Sequence, residues 1–394
     1  MRKISVWGLF FAVFLLIAIS VSGCGRRVSS DTAVLYDITG TISWEAFGDL
    51  VLPGVVVTLE GSTQTTTTDA NGQYSFSDVA AGSHTVSFYM PGWTFYPTSE
   101  SLTVGADATQ NATAEVTGFQ VITPTGDTND YNSIHSKVPD EGGGVFSVVV
   151  GGDSGAFMTS TDGGSTWTDL SYGGTEALAC PTSEAITYVS LTDGYALVEV
   201  NGNYRNLTEA NVWEDDLGGN DLASRGGCLD HTLTGSVYTV TTDYAILKSL
   251  PPPPTMLSPE FPCRGIAVTS QEGVETVYAV GVEGAFRKST DSGASWGTAQ
   301  TLVAGEALND IDLMDATGSG GVVYTSTLFA VGAAGTVVVS TDTGTNWSTL
   351  VEGIPVVLNG VSSSRNGNST ATYEYNTYIC GEDGLILKST GVFE

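Results

Sequence analysis

Acid dominates the titratable chemistry of this 394-residue chain: 43 Asp and Glu stand against 13 Lys and Arg. A carboxylate pair is all that glycoside hydrolysis requires, one as proton donor and one as base or nucleophile. With so many acids, sequence alone cannot select such a pair. Other chemistries are poorly supplied. His84, His135 and His231 stand apart, without metal-ligand spacing, and no Cys pair has CxxC spacing. Gly152-Asp153-Ser154-Gly155 has the outline of a nucleophilic-serine turn, but no His in suitable context precedes it. No glycine loop of phosphate-binding type occurs. No catalytic residue, metal or cofactor is therefore expected. The formal charge of −30 repels nucleic acid and anionic lipid surfaces, so neither is an expected partner.

The elements that must position any site are announced by a repeated turn. STDGGSTW (Ser160–Trp167) returns as STDSGASW (Ser289–Trp296) and STDTGTNW (Ser340–Trp347). In each copy an Asp (Asp162, Asp291, Asp342) precedes by two residues a Gly (Gly164, Gly293, Gly344), and a Trp follows (Trp167, Trp296, Trp347). An Asp side chain accepts N–H groups of its own turn, Gly permits positive φ, and a Trp is large enough to wedge between sheets. The motif resembles the Asp-box, or BNR repeat, of sialidases, photosystem II assembly factors and secreted β-propellers. The resemblance implies a structural turn on the face away from a ligand.

Residues 118–394 divide into six units whose third strands end at Ser160, Val200, Ser249, Ser289, Ser340 and Ser389, roughly the 40–50-residue spacing of four-stranded propeller blades. The first strands start with NSIHS, EALAC, RGGCL, RGIAV, NDIDL and NGVSS; the second with FSVVVGG, ITYVSLT, SVYTVTT, TVYAVGV, TLFAVGA and TYICGED. The sixth unit stops after three strands, and GFQVITP (Gly118–Pro124) has no partner of its own. That segment is expected to supply the missing outer strand beside Leu385–Lys388 and close the ring. The open face would then carry Asp153, Glu176, Asp193, Arg225, Asp243, Arg264, Glu283, Asp310 and Asp383, with Asn309, Asn359 and Glu382 beside them. Such an acidic rim suits a cation or a basic peptide; acids beside Gly are also ordinary turn chemistry. Sialidases need three arginines, and only Arg225 and Arg264 lie at suitable heights. The FRIP motif of those enzymes is absent.

Residues 1–23 read as a signal peptide: Arg2 and Lys3, then an apolar run from Val6 to Ile19. Val21-Ser22-Gly23-Cys24 resembles the lipobox of bacterial lipoproteins, which implies cleavage before Cys24 and its lipidation. Gly25 at the second mature position favours the outer membrane in a Gram-negative cell. Residues 24–34 are a tether. Cys180, Cys228, Cys263 and Cys380 remain, as up to two bridges or as buried thiols.

Residues 35–117 alternate apolar and polar residues with no helical period. LPGVVVTLEG (Leu52–Gly61) follows a Pro-Gly turn, and TTTTDANGQYSF (Thr65–Phe76) reads as a hairpin about Asp69–Gly72. The order of these segments resembles the carboxypeptidase regulatory-like domain, which implies a prealbumin-like sandwich acting as a spacer or adhesive module. Trp93, Phe95 and Tyr96 either stack on a sugar or fill the end of that sandwich; Trp93 and Tyr96 are the candidates for stacking. The expected fold is all-β, a small sandwich followed by a six-bladed propeller. The expected protein is a non-catalytic, lipid-anchored envelope binder, touching membrane through its lipid only, whose open face takes an envelope or extracellular protein or a glycan. The rivals are a polysaccharide-active glycosidase or lyase, and carbohydrate binding through the sandwich.

Overall fold

The computed structural model describes residues 33–47, 50–124, 126–136, 148–171, 186–192, 195–200, 203–208, 213–215, 229–231, 237–240, 244–248, 255–271, 274–317, 323–366 and 374–389. Strands make up the described elements, with three short 3-10 turns and no α-helix among them.

Alternating burial builds the first domain. Tyr74 and Phe76 on Gln73–Ala80 point inward while Gln73 and Ser75 are exposed. Ile38, Ile42 and Trp44 on Leu35–Trp44 meet Val57, Leu59 and Val86 in one core. One sheet runs Leu50–Val51, Leu35–Trp44, Ala112–Val116, Trp93–Tyr96, and the other Thr65–Thr67, Val56–Glu60, Gly82–Tyr89, Ser99–Val104. The segment around Asp69–Gly72 is not the hairpin its sequence suggests. Thr65–Thr67 pairs with Val56–Glu60, whereas Gln73–Ala80 pairs with Leu35–Trp44, so the turn carries the chain from one sheet to the other. Asp69 Oδ1 accepts the N–H groups of Asn71 and Gln73 (2.8 and 2.9 Å), and Gly72 sits at φ +66°, so a reversal is locally fixed. Which strand each arm joins is set by packing of Tyr74 and Phe76 on the opposite sheet.

Among the described residues, the rest is a propeller-like array in which six four-stranded sheets are seen. The first contains Tyr131–Ser136, Val148–Gly152, Phe157–Ser160 and Thr168–Asp169. The fourth, fifth and sixth begin at Cys263–Gln271, Leu308–Thr317 and Leu358–Asn366. First strands touch in the order three, four, five, six, one, two. Phe119–Val121 is the outer strand of the sixth sheet: Phe119 lies opposite Ser389, Gln120 opposite Lys388 and Val121 opposite Leu387. The last and first sheets also meet through their inner strands. The pairing removes an open edge on the sixth sheet.

The second sheet corrects one assignment. Ile186–Thr192, expected as a second strand, lies first, against Tyr131–Ser136 and Val148–Gly152, and Trp213–Asp215 supplies the fourth strand. An apolar run reads the same as a first or a second strand, because both are covered on their faces. EALAC lies outside the described residues.

Residues 35–394 form a single unit. The sandwich meets the fifth sheet through the turn before Trp93. Pro91 O accepts the N–H of Glu352 (3.2 Å), and Trp93 Nε1 donates to Glu352 O (2.7 Å). Gly92 has φ +78°, and a Cβ there would lie 2.5 Å from Val351 Cα, so this junction requires glycine. Trp93, 7% exposed, stands edge-on to Trp44 at 5.4 Å. It is therefore no sugar platform: its faces are spent on the core and its N–H on the neighbouring sheet. Phe95 is buried as well, and Tyr96 is 52% exposed.

Candidate functional site

The three repeated turns share one geometry. Ser160 Oγ donates to Asp162 Oδ1 (2.9 Å) and accepts the N–H of Gly164 (2.8 Å); Asp162 Oδ1 and Oδ2 accept the N–H and hydroxyl of Thr166 (2.8 and 2.7 Å). Ser289, Asp291, Gly293 and Ser295 repeat this, as do Ser340, Asp342, Gly344 and Asn346. The Thr166 hydroxyl and N–H hold the Asp162 carboxyl down at about 2; Asp291 is lowered chiefly by the Ser295 hydroxyl and Asp342 by the Asn346 N–H. These carboxylates are filled by their own turns.

Each glycine is dictated twice, by φ of +80 to +87° and by an apolar side chain from the preceding sheet. A Cβ at Gly164 would meet Ile122 at 2.4 Å, one at Gly293 would meet Leu257 at 2.3 Å, and one at Gly344 would meet Phe286 at 2.7 Å. The tryptophans pack at the same junctions. Trp167 Nε1 donates to Ile122 O (2.9 Å), and Trp347 stands edge-on to Phe286 at 5.0 Å.

A second device accompanies the turn, and sequence reading missed it. Tyr238, Tyr278 and Tyr378 lie directly across the strand pair from Lys248, Lys288 and Lys388, each ammonium 5.1–5.6 Å from its ring centroid. Each lysine reaches onto the next sheet beside its repeated turn. Lys388 Nζ donates to Gly163 O (2.8 Å), Lys288 Nζ to Thr343 O (3.0 Å), and Lys248 pairs with Glu275, whose carbonyl accepts the N–H of Ser292. The pairs occur on sheets three, four and six, which precede sheets four, five and one, the sheets that carry the repeated turn. On sheets one and five, whose successors lack the STD-x-G-x-x-W sequence, the same places hold Val149 with Thr159 and Phe329 with Val339. The signal was a Tyr ten residues before Lys-Ser.

The opposite end carries the turns between second and third strands together with the starts of the first strands, since Cys263 pairs with Gly281 and Leu358 with Gly381. Several expected ligand groups here hold sheets together. Arg264 Nη1 donates to Asn309 Oδ1 (2.8 Å), Asn309 Nδ2 to Leu358 O (2.8 Å), and Asn359 Nδ2 to Tyr131 O (3.0 Å), linking sheets four, five, six and one. Asp310, 8% exposed, accepts the N–H of Val361 from the next sheet (2.9 Å), and Asp153 accepts Asn132 Nδ2 (2.8 Å). Asp310 is thus a bridge inside the ring, not a residue of an open rim. Glu283 and Asp383 are exposed at φ of +56 and +55° in their turns. The fifth turn has no acid of its own, yet Glu306 reaches it and accepts the N–H of Ala334 (2.7 Å). Glu176, Asp193, Arg225, Asp243, Cys24, Cys180 and Cys228 lie outside the described residues. Cys263 and Cys380 are buried free thiols, raised by burial. No metal-holding cluster of His, Cys, Asp or Glu occurs among the described residues.

Among the described residues, one breaks the pattern of this end. Gly155, Gly284, Gly335 and Gly384 occupy one position of the turn, at φ between +68 and +79°. In the third sheet that position is Tyr244, at φ +59° and 46% exposed. Its carbonyl still accepts the N–H of Cys263 (2.9 Å), as Gly284 O accepts that of Leu302 (2.8 Å), so the turn is kept and the side chain bears the cost. The Arg264 guanidinium carbon lies 5.9 Å from the ring centroid, and Arg264 Nε is buried without a hydrogen-bond partner.

Residues 37–117 match the carboxypeptidase regulatory-like domain family. A search of curated proteins gave no match. Among solved structures, the chain is similar to YCF48 bound to D1 peptide, with 12% identity over 71% of this chain and 97% of that one, TM-score 0.47. It is similar to YCF48 from Cyanidioschyzon merolae, with 13% identity over 69% and 98%, TM-score 0.44. It is also similar to the extracellular domain of the hybrid two component system BT4673 from B. thetaiotaomicron, with 11% identity over 70% and 40%, TM-score 0.40.

Proposed function

We propose that this chain is a non-catalytic binding protein of the cell envelope, tethered by lipid on Cys24, with the sandwich as spacer and the end of the ring opposite the Asp-boxes as the binding surface. The partner is a protein. The observation that carries this is Tyr244: a bulky residue at positive φ costs about 1–2 kcal/mol, and such strain persists where a side chain is needed outside. An exposed Tyr over an Arg is the pairing enriched in protein–protein hot spots. Among the acids supporting the reading in sequence, Asp153 and Asp310 are bonded within the ring while Glu283 and Asp383 are exposed, so the weight rests on this corner and not on the rim as a whole.

Photocrosslinking tests it. A benzoylphenylalanine at position 244, in the full chain in its native envelope, is expected to trap a discrete protein adduct. The same group at Tyr89, exposed on the sandwich, is expected to trap none. Equal adducts at both places, or none at 244, would overturn the reading. Lipidation is tested separately: radiolabelled palmitate should enter the wild type and not Cys24→Ala.

A further inference from the structure

A cleft of about 570 Å³ lies where the sandwich meets the ring, within the size range of small-ligand sites. Trp93–Tyr96, outermost in its sandwich sheet, forms one wall, and Phe119–Val121, outermost in the sixth sheet, forms the other. Between them runs the chain from Glu115 to Gly118. Burial alternates along the first wall, so Thr94 and Tyr96 face outward while Trp93 and Phe95 fill the core. Glu115 lies directly opposite Thr94 and is exposed. Thr94 and Thr117 share a hydroxyl–hydroxyl hydrogen bond of 2.8 Å, and Gln120 is exposed on the far wall.

The chemistry of this lining is selective. Tyr96 offers an exposed aromatic face to the C–H side of a ring. Glu115 accepts hydrogen bonds, Gln120 both donates and accepts, and the two threonine hydroxyls do the same. None of the lining residues is Lys, Arg or His. Lys388, across the strand from Gln120, has its ammonium on Gly163 O instead. With the chain at −30, an anionic ligand would find no counter-charge here. Many hydroxyls, one flat apolar face and no negative charge describe a neutral saccharide.

We propose that the cleft between Trp93–Tyr96 and Phe119–Val121 binds a neutral oligosaccharide, stacked on Tyr96 and hydrogen-bonded by Glu115 and Gln120. This site is separate from the Tyr244 corner and does not rest on it. Titration calorimetry of the full chain with cellohexaose, maltohexaose, xylohexaose and chitohexaose tests it. Binding of at least one probe is expected, weakened about tenfold or more by Tyr96→Ala and by Glu115→Gln, and unchanged by Tyr89→Ala. No heat with any probe at millimolar concentration would overturn the proposal, as would binding that Tyr96→Ala leaves intact. Binding of oligolysine in place of every saccharide, lost in Glu115→Gln, would reassign the cleft to basic peptides and overturn it too. Crosslinking from position 244 should persist in Tyr96→Ala, so failure of either site is read independently.

Discussion

The two ends of the ring use similar residues to different effect. At the end with the repeated turns, Asp162, Asp291 and Asp342 take hydrogen bonds from their own turns and are held below the ordinary carboxylate range. Their glycines touch the preceding sheet, and lysines from that sheet close on the turn or, through Glu275, on the strand beside it. Two small polar residues in these turns, Ser292 and Thr343, are also left-handed, each at φ +59°. At the other end the turns follow the same plan, but Tyr244 occupies a glycine position with its ring in solvent. An acid in a turn is therefore a poor marker of a site in this protein. An exposed aromatic ring at a position that four equivalent turns fill with glycine is a better one, because local preference would have removed it unless its side chain had a use elsewhere.

Four changes probe this contrast. The largest effect is expected at the stapled end. Gly293→Val meets both a left-handed backbone and Leu257, and should cost about 3 kcal/mol, read from denaturant unfolding. The same substitution at Gly105, where a Cβ meets nothing within 4 Å, should leave the midpoint nearly unmoved. Next, Lys388→Met removes the donor to Gly163 O across the ring closure and should cost about 1–2 kcal/mol. An unchanged midpoint would show that the Tyr–Lys pairs are incidental.

The opposite end should respond with the opposite sign. Tyr244→Gly relieves a left-handed aromatic residue and is expected to stabilise the chain by about 1 kcal/mol while abolishing partner capture. If stability falls instead, the contrast between the ends collapses. The smallest effect concerns acid. The folded carboxyl of Asp162 lies at about 2, below its ordinary 3.8, so its contribution is present above that ordinary value and lost as pH falls toward about 2. Asp291 and Asp342 shift in the same direction. Thermal midpoints should therefore stay level from neutral pH down to about pH 4 and then decline. Asp162→Asn should flatten part of that decline.

Much of the fold was legible in residues. Three turns with matching Ser, Asp, Gly and Trp named the repeat, and the unpartnered Phe119–Val121 foretold its own place beside Ile386–Ser389. The site was less legible. Reading acids by type placed Asp310 on an open rim, although its carboxylate bonds Val361 on the next sheet. Trp93 could be read as a sugar platform or as filling the end of the sandwich, and what decides it is burial and a bond to Glu352, 259 residues away. Tyr244 raised no signal at all, since positive φ there becomes visible only beside the four glycines of the equivalent turns.

Sequence by itself determined what is local: the strand alternation, the reversals at Asp69–Gly72 and at the three repeated turns, and the need for glycine within them. Turn chemistry and side-chain periodicity act over a few residues and survive without context. Tertiary structure alone decided which strands pair across Asp69–Gly72, where Ile186–Thr192 lies in its sheet, and what Trp93 and Lys388 touch. Those choices follow from how distant segments fill one another's gaps, and an apolar or charged residue looks the same in sequence whichever neighbour it finds.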